Sequence, residues 1–317
     1  MKKIIRIGTR DSPLAIYQAR KVQFFLHEEG YISQLFLMKS EGDIIQNIPI
    51  HTMNKIGVFT KKLTNIMLSG EIDMVVHSLK DVPINIPNEI MLSAFLKRGN
   101  PYDLLVYKGS NDFLYNLNNH AIIATGSLRR ASFWRGKYPH HTIIGLRGNI
   151  NTRLIKLYKN AWKAAIFAKV GLERLGILEK LNNSKLLNYK ELDWMIPSPG
   201  QGIIVVSTLK KNNHINILLT EKLDDKKTRL SANIERQFLR TLSGGCMSPI
   251  GAHAIIKDKI VYFTGILLSL DGMQKIKKTI KGTNYKNIGF QCAKYILKKG
   301  GKKILEDNKK IFHNKKL

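Results

Sequence analysis

Cysteine is nearly absent from this 317-residue chain, which has two, Cys246 and Cys292. They lie far apart and fit no metal-ligand spacing, which argues against a disulfide framework and leaves no metal site to expect. Long apolar runs are missing as well. No stretch reaches the length that spans a bilayer, and Met1-Lys2-Lys3-Ile4-Ile5-Arg6 passes into charged sequence without a signal-peptide core. A cytoplasmic protein without a membrane partner is expected. No internal repeat of solenoid period is present. Acidic residues are scarce, 23 against 52 lysines and arginines, giving a formal net charge of +29. That balance suggests nucleic acid, but the basic loops lack interleaved aromatics and carry no recognition motif. Much of the excess is lysine scattered among isoleucine and asparagine, as an A- and T-rich genome would produce. Such lysine reads as solvated surface, so no specific nucleic-acid partner is expected, only salt-sensitive nonspecific retention.

What is present is a globular composition, 44% hydrophobic and 24% charged, in a chain long enough for two or three domains. Leu242-Ser243-Gly244-Gly245-Cys246-Met247-Ser248-Pro249 places a thiol on a glycine- and proline-bounded loop after a helix carrying Ile234 and Phe238. An accessible thiolate there is a nucleophile. A small buried cysteine beside a structural turn is the alternative. Cys292, on a closing helix over Asn287 to Lys299, reads as core.

In chain order, Ile4 to Arg10 reads as a strand, and Ser12-Pro13 opens a helix to Glu28 that buries Leu14, Tyr17 or Gln18, Val22 and Phe25. Arg10 and Ser12 then stand at a strand-to-helix junction suited to an anion. A plain helix cap is the other reading of Ser12. Lys39 to Phe59 lacks periodicity, and a loop of that length is expected to be either a lid or disordered. A helix over Lys61 to Leu68 and a buried strand over Ile72 to His77 lead into Ser78-Leu79-Lys80-Asp81. At the carboxyl end of a strand in an open α/β sheet, Lys80 and Asp81 would face the ligand crevice; a surface lysine and a turn aspartate are the alternative.

Three strand-loop-helix units then carry arginine at the loop: Ala121 to Arg130 with Ser127, Arg129 and Arg130, Thr142 to Arg153 with Arg147 and Arg153, and Ala164 to Gly176 with Arg174. The second leads into a helix from Leu154 to Lys159. Arginine forks grip carboxylates and phosphates bidentately, so the recurrence predicts a site for a small polyanion. Trp194 to Gly202 looks like a crossing between domains before a strand from Ile203 to Ser207. Lys222 to Lys227 reads as a charged linker. Strands near His253 to Ile256, Ile260 to Leu268 and up to Ile280 follow the cysteine loop, and the lysine-rich tail is expected to fray.

Arg6-Ile7-Gly8-Thr9-Arg10-Asp11-Ser12-Pro13-Leu14-Ala15, Val76-His77-Ser78-Leu79-Lys80-Asp81-Val82-Pro83, Gly126-Ser127-Leu128-Arg129-Arg130, Leu146-Arg147-Gly148-Asn149 with Thr152-Arg153-Leu154, Gly171-Leu172 with Arg174-Leu175-Gly176, Pro199-Gly200-Gln201-Gly202, and Gly244-Gly245-Cys246 with Pro249-Ile250-Gly251 occur in this order. Together they resemble the porphobilinogen deaminases, or hydroxymethylbilane synthases, over nearly the full length. The resemblance implies a transferase of porphyrin and haem biosynthesis. Such an enzyme joins four porphobilinogen units head to tail, releasing ammonia each time, and frees hydroxymethylbilane by hydrolysis.

It also implies a dipyrromethane cofactor bound by a thioether to Cys246. By the match, Lys80, Asp81, Ser127, Arg129, Arg130, Arg147, Arg153 and Gln201 would hold cofactor. Arg10, Ser12, Arg147, Arg153 and Arg174 would bind substrate, and Asp81 would be catalytic. The implied architecture is α/β: two domains like periplasmic binding proteins, 1–96 with 201–218 and 97–200, and a smaller domain, 222–317, with an antiparallel sheet and the cysteine loop. A monomer is implied.

The chain departs from the family pattern at Glu41, where arginine is usual, Ile56, where lysine is usual, and Lys62, where glutamate is usual. All three lie in or beside the expected lid. Gly126 replaces a common serine, and Lys169 a small residue for which either a carboxylate contact or a solvent-facing position is open.

A non-catalytic anion-binding protein would share the arginines but leaves Cys246 and the Lys80-Asp81 pair unexplained. A fixed carboxylate beside pyrrole N–H groups stabilises developing positive charge without reorganising. Asp81→Ala is therefore expected to leave a folded protein with almost no turnover, measured as hydroxymethylbilane formed from porphobilinogen; near-normal product formation would sink the assignment.

Overall fold

Ile5–Arg10 form the first strand, β1, with Ile5, Ile7, Gly8 and Thr9 buried, so that both faces are covered along its second half. The computed structural model describes residues 4–39, 60–183, 186–243 and 248–314, with side chains to 311. All of the expected lid except Lys39 lies outside the described residues, and so do Glu41, Ile56 and Cys246. After β1 comes α1 (Pro13–Glu28), opened by proline and capped by Ser12, which accepts from the Ala15 N–H. Its buried stripe is Gln18, Ala19, Val22 and Leu26, while the expected Leu14 and Phe25 are half-buried. Next come β2 (Ser33–Met38), α2 (Lys61–Leu68), β3 (Met74–Ser78) and β4 (Ile90–Phe95). Strand β3 is buried from Met74 to His77 because α1 covers one face, through Met74 and Val76, and α2 the other, through Val75.

Two compact units divide the chain. One takes the described residues up to Gly99 together with Gly200–Leu230; the other takes Asn100–Pro199 and the residues from Ser231 onward. In the second unit β5 (Asp103–Lys108), β6 (Ile122–Ala124), β7 (Thr142–Ile144), β8 (Ala164–Ala168) and β9 (Leu187–Leu192) make one sheet in the order β7-β6-β8-β5-β9. The helices threaded through it are α3 (Leu128–Lys137), α4 (Ile150–Lys159), α5 (Lys169–Arg174) and α6 (Ile177–Asn182). Helix α4 begins four residues before the expected Leu154, because the Asn149 side chain accepts from the Thr152 N–H at 2.9 Å and so caps it earlier.

Strand β10 (Ile204–Leu209) returns to the first unit and completes the order β2-β1-β3-β10-β4. It runs antiparallel to β3 and β4, as β5 runs antiparallel to β8 and β9, whereas the other pairs are parallel. Both sheets therefore share one topology: the antiparallel strand comes last along the chain in the first and first in the second.

The expected linker over Lys222 to Lys227 is instead structured. After α7 (Asn213–Leu218), residues Leu219–Leu223 stay helical with Leu219 buried. Asp224 accepts from the Phe95 N–H at 2.7 Å, and Asp225 accepts from the Thr228 N–H at 2.7 Å to start α8 (Lys226–Thr241). The acidic side chains cap and tether backbone here, which a count of charges does not reveal.

Strands β11 (Ile250–Lys257), β12 (Ile260–Leu268) and β13 (Lys275–Gly282) form an antiparallel meander. Phe238 of α8 packs edge-on to Phe263, 5.3 Å between centroids, and α9 (Ile288–Ile296) adds Cys292, fully buried as expected for core. Burial pushes the Cys292 thiol up to about 12, which keeps it protonated and unreactive. The tail expected to fray is α10 (Lys302–Asn314). Ile304 is buried, and the buried Asn308 donates to the Leu268 carbonyl while accepting from the Leu270 N–H, both at 3.0 Å. Among the described residues no helix is long and apolar enough to cross a membrane. Asn308→Ala should leave both backbone groups without that partner and cost about 1–3 kcal/mol, read as a lower urea midpoint; an unchanged midpoint would show the tail to be dispensable.

Candidate active site

Arg10 and Asp81 come together because β1 and β3 are neighbouring parallel strands that end on the same edge of the sheet. A pocket of about 50 Å³ opens there, bounded by Arg10, Ser12, Gln18, Thr60, His77 and Asp81. Asp81 closes the 3-10 turn Leu79–Asp81 that follows β3 directly. Gln18, buried in α1, donates from Nε2 to the Ser78 hydroxyl at 2.9 Å and ties the helix to the end of β3. Lys80 donates to Gln201 Oε1 at 3.3 Å, and Arg98 Nε donates to the Gln201 carbonyl at 2.9 Å. The Lys80 turn depends on Gly200: with φ at +74°, a Cβ there would stand 2.9 Å from Leu79 Cγ and 3.2 Å from the Lys80 nitrogen.

In the second unit Ser127 caps α3 by accepting from the Arg130 N–H at 3.5 Å. Arg129 and Arg130 are buried, and both bond Asp103. Burial pulls the Arg129 guanidinium below the usual arginine value, and the Asp103 carboxylate opposes that shift. Arg153 Nε donates to the Gly148 carbonyl at 2.7 Å, and Lys156 Nζ to the Arg147 carbonyl at 3.2 Å, so the Arg147-Gly148 loop is braced by α4. Arg147, Arg153 and Arg174 are half-buried. Lys169 makes a carboxylate contact within the protein: it is half-buried and pairs with Glu191 at 2.5 Å, and that bond raises its pKa. Gly126 also has a local reason: a Cβ would lie 2.4 Å from the Leu146 carbonyl oxygen. Lys62 is exposed on α2.

The descriptions of two sequence families match this chain: "Porphobilinogen deaminase, dipyromethane cofactor binding domain" over residues 5–217 and "Porphobilinogen deaminase, C-terminal domain" over residues 230–298. The chain belongs to the porphobilinogen deaminase family. Members of this family are hydroxymethylbilane synthases, transferases of tetrapyrrole biosynthesis. A porphobilinogen deaminase of Campylobacter hominis is 37% identical over 305 residues, covering 95% of this chain and 97% of that protein. One of Chlorobium phaeobacteroides is 34% identical over 318 residues, covering 98% and 99%. Among solved structures, the BvgS VFT2 domain of Bordetella pertussis aligns with a TM-score of 0.43 at 13% identity, covering 69% of this chain and 86% of that one.

Gln18, Thr60, His77 and Asp103 were not singled out by the sequence as site residues. A polar residue on the apolar stripe of α1 was the available signal for Gln18, and an acid opening a strand of apolar residues was the signal for Asp103. His77 is buried at the pocket, and burial, with the positive Arg10 nearby, lowers its pKa to about 4. The imidazole is therefore neutral in the folded protein where the unfolded chain, near 6.5, begins to take up a proton. Because the unfolded state binds more protons, this contribution to stability is complete above about pH 6.5 and is lost as pH falls toward 4. An NMR titration, assigned with His77→Gln, should find the His77 ring neutral at pH 5, and His77→Gln should weaken the fall in urea midpoint between pH 7 and 5. A ring titrating near 6.5 would contradict this.

Proposed function

We propose that this chain condenses four porphobilinogen units on a dipyrromethane primer joined to Cys246, then releases hydroxymethylbilane by hydrolysis. The observation that carries the reading is the pocket that gathers Arg10, Ser12 and Asp81 at the carboxyl ends of β1 and β3. Each condensation breaks the aminomethyl C–N bond and releases ammonia. It then forms one C–C bond and removes one ring proton. Porphobilinogen carries an acetate and a propionate, so Arg10, Ser12 and Arg174 serve as their partners, while Asp81 holds the pyrrole N–H groups and offsets the positive charge that passes through them. Proton transfer by Asp81 is compatible with the same placement.

The residues present fit a carboxylate-rich primer. Arg129 Nε is buried without a hydrogen-bond partner, and two guanidiniums face the single Asp103 carboxylate, leaving positive charge for an anion to balance. Lys80, Asp81, Ser127, Arg129, Arg130, Arg147, Arg153 and Gln201 are assigned to it, and Arg147 and Arg153 also to substrate. When bound, the dipyrromethane supplies the growing end to which units are added. The reading includes three domains, 1–96 with 201–218, 97–200 and 222–317, in a monomeric cytoplasmic enzyme.

Intact mass of the protein beside its Cys246→Ser variant tests this directly. An excess equal to two porphobilinogen units less two ammonias, absent from the variant, is expected. If none is present after purification or after incubation with porphobilinogen, the enzymatic reading falls and an anion-binding protein takes its place.

A further inference from the structure

Asp103 is the first residue of β5 and fully buried. Its Oδ2 accepts from Arg129 Nη2 at 2.6 Å, and its Oδ1 accepts from Arg130 Nε at 3.0 Å and lies 2.8 Å from Arg130 Nη2. The outer nitrogens are directed by backbone: Arg129 Nη1 donates to the Ile196 carbonyl at 2.9 Å and Arg130 Nη1 to the Ile166 carbonyl at 3.0 Å. Both forks are thus fixed in a place removed from water.

Stability alone does not account for the arrangement. One carboxylate against two guanidiniums leaves a buried surplus of positive charge, and packed apolar side chains commonly serve a core as well or better than buried ions. The arginines also occupy the second and third positions of α3, where the positive end of the helix favours acids and disfavours cations. Arg129 Nε, buried without a partner, remains a donor. Costs of this kind collect where a group must be presented in one geometry.

We propose that Asp103 is a positioning residue for cofactor loading: it holds Arg129 and Arg130 in the geometry that receives the primer's carboxylates. This rests on the functional reading above. It makes a prediction opposite in sign to simple charge attraction. Asp103→Asn removes a negative charge and doubles the surplus; if charge alone held the primer, loading would improve, whereas loss of geometry would impair it.

The test follows the mass increase of apoprotein incubated with porphobilinogen, for the wild type, Asp103→Asn, and Asp103→Glu, which keeps the wild-type net charge but displaces the carboxylate by one methylene. Circular dichroism and melting establish that each is folded. Loading of Asp103→Asn is expected to slow at least about tenfold, and Asp103→Glu, which keeps the test open should Asp103→Asn not fold, is expected to slow as well although its charge is unchanged. Loading of a folded variant at or above the wild-type rate overturns the inference. Hydrogen exchange at Arg130 Nε–H, followed by NMR, is the second measurement: protection in the wild type should be lost in Asp103→Asn, and its persistence would also overturn the proposal. If the wild type itself takes up no adduct, the functional reading fails, while the exchange measurement still decides whether Asp103 fixes the forks.

Discussion

The register of β10 against β3 is the constraint on which the first unit's site depends. Ile204 lies opposite Ser78 and Val205 opposite His77. That pairing leaves Gly200 and Gln201 beside the turn that carries Lys80 and Asp81. A slip of one residue would reverse the faces of β10 and move the Gln201 side chain away from Lys80. The turn that carries Asp81 is thus held by a ladder formed with a segment more than a hundred positions later in the chain, and Gln18 steadies the same strand end from the helix side.

Charge is handled differently in the two units. In the first, Arg10 and Asp81 stand at the ends of β1 and β3 around a pocket that the neutral ring of His77 also lines. In the second, Arg129 and Arg130 are drawn into the interior and directed by Asp103. Most lysines among the described residues lie on the surface, so the formal charge of +29 describes the solvated exterior more than either site.

Short-range signals in the sequence were reliable. Ser12-Pro13 caps α1, Ser127 caps α3, and α2 occupies the residues its pattern indicated, since caps and periodicity act within one or two turns. The resemblance to porphobilinogen deaminases was legible because its blocks keep their order along the chain. Side-chain pairings over long separations were not legible: Asp103 with Arg129 and Arg130, Lys80 with Gln201, and Lys169 with Glu191. Charge misled twice. The 222–227 segment and the lysine-rich tail read as solvated, yet Asp224, Asp225 and Asn308 bond specific backbone groups. Cys246, Glu41 and Ile56 fall outside the described residues and remain readings of the sequence.

The order in which the strands leave the ribosome differs from the order in which they pair. The first sheet has β3 and β4 made early, but the strand that lies between them, β10, is synthesised only after all of β5–β9. Until then two apolar strands present unfilled edges, the kind of surface that invites mispairing with other chains. The second sheet has no such delay, because its own antiparallel strand is made before the strands it separates. The half of the protein that begins the chain is therefore the one whose sheet must wait for a late arrival, and the middle of the chain is free to complete its sheet first.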